Sequence, residues 1–175
     1  MTGGSSGHPI DRLMRRVIRS GERVTDTDVR DIIDRVRSAP FSTRSVSVDP
    51  DYARIAAANG FTVHSPTDAL TAHVAKHVWA QQQWMVTTTP EEYLDDIRTV
   101  IGARTARLAF YERGRRPVVV VVAETDEVVP VGRIGPASGP YVLVMYSPDS
   151  AMILTAYMIR SIEAANIPAG ALWLK

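Results

Sequence analysis

The sequence predicts an α+β fold in which N-terminal helices precede an antiparallel sheet of about four strands. Before Gly102, apolar residues recur at helical spacing in several segments that begin and end with capping residues. After Gly102, short segments rich in β-branched and aromatic residues alternate with turn-forming residues. Because the helices come first and the strands follow one another directly, we expect the helices, including one that carries histidines, on one face of the sheet.

Two amphipathic helices are predicted at the N-terminus. The first covers Ile10 to Ser20 and ends at Gly21, a residue type common at helix C-caps. The second begins at Thr25 or Thr27 and is closed by a proline. The outer side of the first helix is basic, which fits nucleic acid, an acidic protein partner or, as the residues alone favour, a solvated face paired with aspartates of the second helix. These basic residues are Arg12, Arg15, Arg16, Arg19 and Arg23.

The chain is predicted to divide into a leader, a helical region and a core. Residues 1–9 are Gly/Ser-rich, lack the apolar stretch of a secretory signal and are expected to form a flexible leader. Residues 10–60 form the helical region, in which residues 43–48 read as a short strand and residues 50–59 as a helical turn. Residues 61–175 form the helix-plus-sheet core, which begins with a strand-like stretch, FTVH.

The segment Thr67 to Trp84 is predicted to be a helix that carries two of the four histidines. His73 and His77 lie one turn apart beside an apolar stripe, so both imidazoles are expected at the edge of the buried face. An imidazole in that position can titrate near neutral pH and serve in catalysis. Two histidines at this spacing are nevertheless more often hydrogen-bonded boundary residues of a helix.

Start signals locate this helix and the next one. Ser65 is the expected N-cap of the histidine-bearing helix, with Pro66 in its first position and Asp68 placed for a capping bond. The same order of residue types recurs in TPEE at residues 89–92. A second helix is therefore predicted from Pro90 to Ile101.

Four strands are predicted after the helices, separated by turn-forming residues at 113–115, 132–139 and 147–150. They are Ala106 to Glu112, Arg116 to Glu124, Tyr141 to Tyr146 and Met152 to Arg160. The tail from Ser161 has no clear period, and its last apolar residues are expected to hold the chain end against the core.

Composition excludes several classes of protein. The chain has no cysteine, so a disulfide framework, a thiolate zinc site and a thiol nucleophile are excluded. Its longest apolar run, VVVVVA at residues 118–123, falls far short of the roughly 20 residues that span a bilayer, so no membrane contact is expected. A net charge of +1 argues against a strong, non-specific binder of nucleic acid. Lysine occurs only at positions 76 and 175, which singles out Lys76 between the two histidines.

Several polar residues can meet where the histidine-bearing helix packs on the sheet. Thr155 and Tyr157 point to the same side of the last strand, because side chains alternate along a strand. Metal-independent RNA cleavage needs a base for the 2′-OH proton, an acid for the leaving 5′-oxygen, and positive charge on the pentacoordinate phosphate. His73 and His77 are the candidate base and acid, in either order, and no cofactor is needed. The other candidates are Thr155, which would orient the phosphate at the catalytic site, and the substrate-binding residues Lys76, Tyr157, Arg107, Arg113 and Arg160.

Three motifs follow one another in an order typical of a known superfamily. They are HVAKH at residues 73–77, TPEEY at residues 89–93 and TAY at residues 155–157. Over Val63 to Arg160 the chain resembles small nuclease toxins of the barnase, EndoU, colicin and RelE (BECR) superfamily, of the contact-dependent or phage-encoded type. The resemblance implies helices before an antiparallel sheet and cleavage of RNA, with tRNA as one candidate. It also implies action in the cytoplasm and an acidic inhibitor, or immunity protein, that covers the site.

Two other functions remain open. His73 and His77 could bind zinc with His64, but no glutamate follows the first histidine as the HExxH motif requires, and no metal site is expected. The chain could also be a non-catalytic structural or interaction protein, for example a phage virion component that docks other virion proteins. In such a protein the two histidines and Thr155 need not converge, whereas a nuclease requires them close together.

Overall fold

Five strands form one antiparallel sheet, and the structure, a computed structural model, describes residues 7–174. The strands are β1 (Ser45–Val46), β2 (Thr67–Asp68), β3 (Arg107–Arg113), β4 (Arg116–Glu124), β5 (Tyr141–Ser147), β6 (Met152–Ile159) and β7 (Leu172–Leu174). β1 and β2 pair with each other, and the other five lie in the order β6-β5-β4-β3-β7. The predicted α+β fold class is confirmed.

The sheet is a meander of four consecutive strands with a short fifth strand at one edge. Val121 of β4 lies opposite Leu108 of β3 and Val144 of β5. β7 pairs with the other side of β3 and sets Trp173 opposite Ala109. The four predicted strands agree with β3 to β6 within one residue at each end. β7 was missed, because three residues are too few to show an alternating pattern.

Most of the α-helices begin at a residue whose side chain caps the helix. The α-helices are α1 (Pro9–Ser20), α2 (Asp26–Arg37), α3 (Pro50–Ala58), α4 (Ala69–Val74), α5 (Pro90–Ile101) and α6 (Thr125–Val128). Gly21 ends α1 with φ 66°, and Thr25 starts α2 in a capping box. α1 begins at Pro9 within the predicted leader, and residues 1–6 of that leader lie outside the described residues. No helix within residues 7–174 is both long and apolar enough to cross a membrane.

Apolar packing covers both faces of the sheet. On one face Met14 of α1 and Ile32 of α2, both without exposed surface, join the cluster that contains Val121 and other residues of the sheet. On the opposite face, apolar residues between 162 and 173 pack against a second cluster that includes Val120. The predicted N-terminal helical region therefore shares a hydrophobic cluster with the sheet.

Residues 43–64 contain less strand than the sequence predicts. Of residues 43–48, only Ser45–Val46 form a strand, and Val46 pairs with Thr67. Residues 61–64 were predicted to be strand-like and form no strand. Phe61 instead stacks on Trp79, with 4.7 Å between ring centroids and 3° between ring planes. Its apolar side chain is used for packing against a helix, which an alternating pattern does not distinguish from strand pairing.

The histidine-bearing helix starts at a different cap from the one predicted. Asp68, not Ser65, is the N-cap: its Oδ1 accepts a hydrogen bond of 2.9 Å from Thr71 N. This backbone bond and a second bond from the Thr71 hydroxyl lower the pKa of Asp68. The Ser65 hydroxyl is already engaged, since it accepts from Val48 N at 3.0 Å. Because residues 67–68 pair with β1, the helix begins only at Ala69.

α4 continues into a π-helical turn, Ala75–Ala80, and the two together are called the histidine helix below. The turn is closed by a bond from Gln81 N to Lys76 O of 2.8 Å, which spans five residues instead of four. Each successive residue therefore turns through a smaller angle about the helix axis than in an α-helix. The apolar stripe that was predicted for a regular α-helix is displaced over these residues. The helix ends at Ala80 and not at Trp84, which is fully buried in the core.

The outer edge of β6 is bonded by residues that lie outside the sheet. Ile153 exchanges two backbone hydrogen bonds with residues 40–42, at 2.8 and 2.9 Å. Further along, the side-chain amide of Gln83 accepts from Met158 N at 2.9 Å and donates to Met158 O at 3.3 Å. β6 is thus held on both sides over most of its length.

A loop before β5 closes tightly over the chain that follows the histidine helix. Arg133 donates to the buried carboxylate of Asp96 at 3.0 Å, and the Trp84 indole donates to the same oxygen at 3.2 Å. At Gly135, an added Cβ would lie 2.1 Å from the carbonyl oxygen of Gln82. The position excludes any side chain, because the atom it would meet belongs to the backbone.

We expect Gly135→Ala to lower the free energy of unfolding by about 1–3 kcal/mol, because the methyl group forces two backbone segments apart. Gly132→Ala is the matched control: nothing lies within 4 Å of its Cβ position. It is expected to change stability by less than about 0.5 kcal/mol. Urea unfolding of both variants tests this, and equal stabilities would contradict the close approach at Gly135.

Candidate functional site

His73 and Thr155, which are 82 residues apart in the sequence, form a direct hydrogen bond. The distance from His73 Nε2 to Thr155 Oγ1 is 3.0 Å. Phe41 packs edge-on against the His73 ring, with 5.1 Å between centroids. The contact joins the histidine helix to β6, which lies at one edge of the sheet.

The hydrogen bonds of His73 determine which ring nitrogen carries the proton. Nδ1 lies 2.7 Å from the carbonyl oxygen of Ala69, which can only accept, so Nδ1 is the donor. In the neutral ring Nε2 is then the acceptor, and the Thr155 hydroxyl donates to it. Burial lowers the pKa of His73, with the charge of Lys76 acting in the same direction and the Ala69 bond opposing it. His73 is therefore a neutral base at physiological pH, with a hydroxyl bonded to its basic nitrogen.

His77 is buried, although both imidazoles were predicted at the edge of the buried face. Only 5% of its surface is exposed. Its ring stacks on Tyr157 with 5.6 Å between centroids, and its Nδ1 lies 2.9 Å from Gln81 Oε1. Burial lowers the pKa of His77 to about 3, against the Gln81 hydrogen bond, which raises it. The ring is neutral at physiological pH, and its place in the π-helical turn turns it toward the core.

Lys76 and His73 line the same cleft, whose volume is about 380 Å³. Residues 46–49 form the opposite wall, and Tyr52 of α3 forms part of the lining. Lys76 Nζ lies 5.4 Å from the centroid of the Tyr52 ring, within the range of a cation–π contact. The Gln81 amide donates to the Tyr52 hydroxyl at 3.4 Å, so Gln81 links this wall to His77.

The three candidate arginines do not join this cleft. Arg107 on β3 lies over the Trp173 ring at 4.4 Å from its centroid, and β4 and β5 separate its strand from β6. Arg113, at the end of β3, donates to Met145 Sδ at 3.7 Å; Met145 lies opposite Thr155, so Arg113 approaches the sheet face that carries Thr155 but does not line the cleft. Arg160 is exposed just beyond the end of β6. The structure therefore brings together His73, His77, Thr155 and Tyr157, with Lys76 on the adjoining cleft wall.

Three residues of the site were not predicted: Phe41, Tyr52 and Gln81. Gln81 had a detectable signal, because it lies four residues after His77 and can meet it along a helix. Phe41 and Tyr52 had none, since both reach the histidine helix from segments distant in sequence. Their placement depends on how α3 and the chain after α2 fold back, which no local pattern encodes.

No match to the chain is found among family models, curated proteins or solved structures. The likeness to BECR nuclease toxins therefore rests on the three motifs and their order. His64, considered above as a zinc ligand, is exposed. Within residues 7–174 no three His, Cys, Asp or Glu side chains are grouped so that they could hold a metal ion.

Proposed function

We propose that the protein is a metal-independent ribonuclease whose reacting groups lie at the cleft between the histidine helix and residues 46–49. The observation that carries the proposal is the 3.0 Å bond between His73 and Thr155, a neutral imidazole paired with a hydroxyl beside a cleft that also contains a lysine. Cleavage at a ribose 2′-OH requires a base, an acid for the leaving 5′-oxygen and positive charge on the phosphate, and in this proposal His73 supplies the first and the Lys76 ammonium the other two.

The proposed reaction uses the residues in distinct roles. His73 Nε2 takes the proton of the 2′-OH as the 2′-oxygen attacks phosphorus. The Thr155 hydroxyl turns from His73 to a non-bridging phosphate oxygen, and Lys76 stabilises the charge of the pentacoordinate phosphate. The bond from phosphorus to the 5′-oxygen then breaks, and the leaving oxygen takes a proton from the Lys76 ammonium. The products are a 2′,3′-cyclic phosphate and a free 5′-OH.

His77 takes a positioning role in this proposal, and not the role of acid or base. With a pKa of about 3, its ring is not an imidazolium at neutral pH and therefore cannot act as a general acid. Its contacts hold other members of the site: it stacks on Tyr157 and lies 5.9 Å, centroid to centroid, from His73. It also bonds to Gln81, which in turn reaches Tyr52.

The test is cleavage of total RNA and tRNA in EDTA by the purified protein. We expect cleavage with 2′,3′-cyclic phosphate ends, and a loss of about 100-fold or more in His73→Ala, because the general base is removed. Thr155→Val, which keeps the branched shape and removes the hydroxyl, is expected to lose activity while retaining the fold. His64→Ala is the matched control, since it removes an exposed histidine outside the site.

Absence of cleavage by the wild-type protein, or equal cleavage by His73→Ala, would overturn the ribonuclease proposal. Circular dichroism of each variant distinguishes loss of chemistry from loss of folding.

A non-catalytic interaction protein is the second candidate function, and the burial of the His77 side chain favours it. The burial of His77 leaves one accessible imidazole where two were predicted. In an interaction protein, the His73–Thr155 hydrogen bond would only hold the histidine helix against β6. In that case the wild type leaves RNA intact, and His73→Ala lowers stability by roughly 1–2 kcal/mol through the lost hydrogen bond. Other virion proteins are the proposed partners under this reading, and an acidic inhibitor under the first.

A further inference from the structure

Four arginines of α1 line one shallow groove on the outer side of the helix. They follow one another at intervals of three, one and three residues, which places them on one helical face. The groove has a volume of about 400 Å³, and Ser20 is the other residue that lines it. We call Arg12, Arg15, Arg16 and Arg19 the arginine face.

The charge of the arginine face is only partly neutralised. Arg16 Nε pairs with Glu22 at 2.9 Å, yet the Arg16 side chain is 54% exposed. Arg15 Nη1 lies 3.7 Å from Asp149. Arg12 and Arg19 are exposed and form no ion pair within residues 7–174, so at least these two guanidinium groups remain available to an anion. The aspartates of α2, which were expected to pair with this face, do not form its ion pairs within residues 7–174.

The arginine face adjoins the turn that leads into the candidate site. Arg15 Nη1 donates to the carbonyl oxygen of Pro148 at 3.0 Å, in the turn between β5 and β6. Thr155 follows that turn on β6, which begins at Met152, and at ~3.3 Å per residue the three steps from Met152 to Thr155 span roughly 10 Å. This distance, together with the turn, corresponds to a few nucleotides of an extended RNA strand.

The lining of the groove favours a phosphate backbone over a protein surface. Protein interfaces have an apolar or aromatic centre with a polar rim, whereas this groove is lined by four arginines and a serine. Phosphate oxygens need only donors and positive charge, and guanidinium groups match them with paired hydrogen bonds. Aromatic residues for base stacking are absent from the lining, so the contact would read the backbone and not the bases.

We propose that the arginine face is a second binding site for the RNA substrate, which holds the phosphate backbone of the strand a few nucleotides from the bond that is cleaved. The proposal rests on the proposed ribonuclease function for its substrate. In this proposal α1 binds the RNA backbone, and this binding does not require any residue of the cleft.

The test measures binding of a fluorescent 20-nucleotide RNA with 2′-O-methyl groups, which cannot be cleaved through a 2′-OH. We expect Arg16→Gln/Arg19→Gln to raise Kd about tenfold at 0.1 M salt. The slope of log Kd against log salt should fall by about 1.4, since two phosphate contacts of a single strand are lost. Both residues are exposed, so the fold should be retained.

Arg30→Gln/Arg104→Gln is the matched control, because it removes two exposed arginines elsewhere and changes net charge equally. The same Kd and slope in both double variants would overturn the arginine face as an RNA site. Retention of tight RNA binding with no cleavage of natural RNA would overturn the ribonuclease proposal alone. Binding of poly-glutamate through these arginines, without binding of RNA, would show an acidic protein as the occupant and overturn the inference.

Discussion

Replacement of Asp11 by alanine is expected to lower the free energy of unfolding by about 3–5 kcal/mol. The carboxylate has 0% exposed surface. It accepts 2.7 Å hydrogen bonds from the Tyr146 hydroxyl and from Arg35 Nη2. The Arg35 bond raises the pKa of the guanidinium, and burial, together with Asp11, raises the pKa of Tyr146. Without Asp11, a buried phenol and a partly buried cation lose their shared partner.

Asp34→Ala is the control for this experiment. Asp34 also pairs with an arginine, Arg37, at 2.9 Å, but its side chain is 65% exposed. Exposed pairs contribute little, so a loss below about 1 kcal/mol is expected. Urea unfolding at pH 7 measures both variants, and similar losses would show that Asp11 is no more important than a surface carboxylate.

The second large effect is a loss of stability on mild acidification, caused by His77. Its pKa is about 3 in the folded protein and near 6.5 when the chain is unfolded. Between these values the unfolded chain binds a proton that the folded protein excludes, so stability falls as pH decreases from about 6.5 toward 3. The contribution of His77 to this loss is about 2 kcal/mol between pH 7 and pH 5.

His77→Phe isolates this contribution, since phenylalanine keeps an aromatic ring against Tyr157 and cannot take up a proton. We expect unfolding free energies of the wild type to fall more steeply between pH 7 and pH 5 than those of His77→Phe. His64→Gln, which changes an exposed histidine, should retain the wild-type slope. Parallel pH profiles for wild type and His77→Phe would show that His77 is hydrated in the folded protein.

The helices and the main strands could be predicted because their signals are local. The helix from Pro90 to Ile101 has a capping box at its start, and β4 is a valine-rich run bounded by turns. The start of the histidine helix could not be predicted, because Ser65 and Asp68 are both good caps. The choice depends on a bond from Val48, which is 17 residues from Ser65.

The candidate site could be predicted only in part, because it too depends on contacts between residues that are distant in the sequence. The alternation of the strand and the spacing of the helix indicated that His73, Thr155 and Tyr157 can meet. The burial of His77 depends on the π-helical turn at Ala75–Ala80, whose five-residue hydrogen bonds leave no clear mark in the sequence. The remoteness of Arg107 follows from the order of strands, which the segment pattern alone does not define.

The bonds along the outer edge of β6 also bear on how the protein behaves at high concentration. An uncovered edge strand offers free amide and carbonyl groups that can recruit a strand from another molecule, which leads to aggregation. Here Gln83 and residues 40–42 occupy those groups, and the Tyr93 hydroxyl donates to Ala156 O at 2.5 Å. The opposite edge, β7, is only three residues long. The sheet is thereby protected against intermolecular strand addition by its own helices and loops.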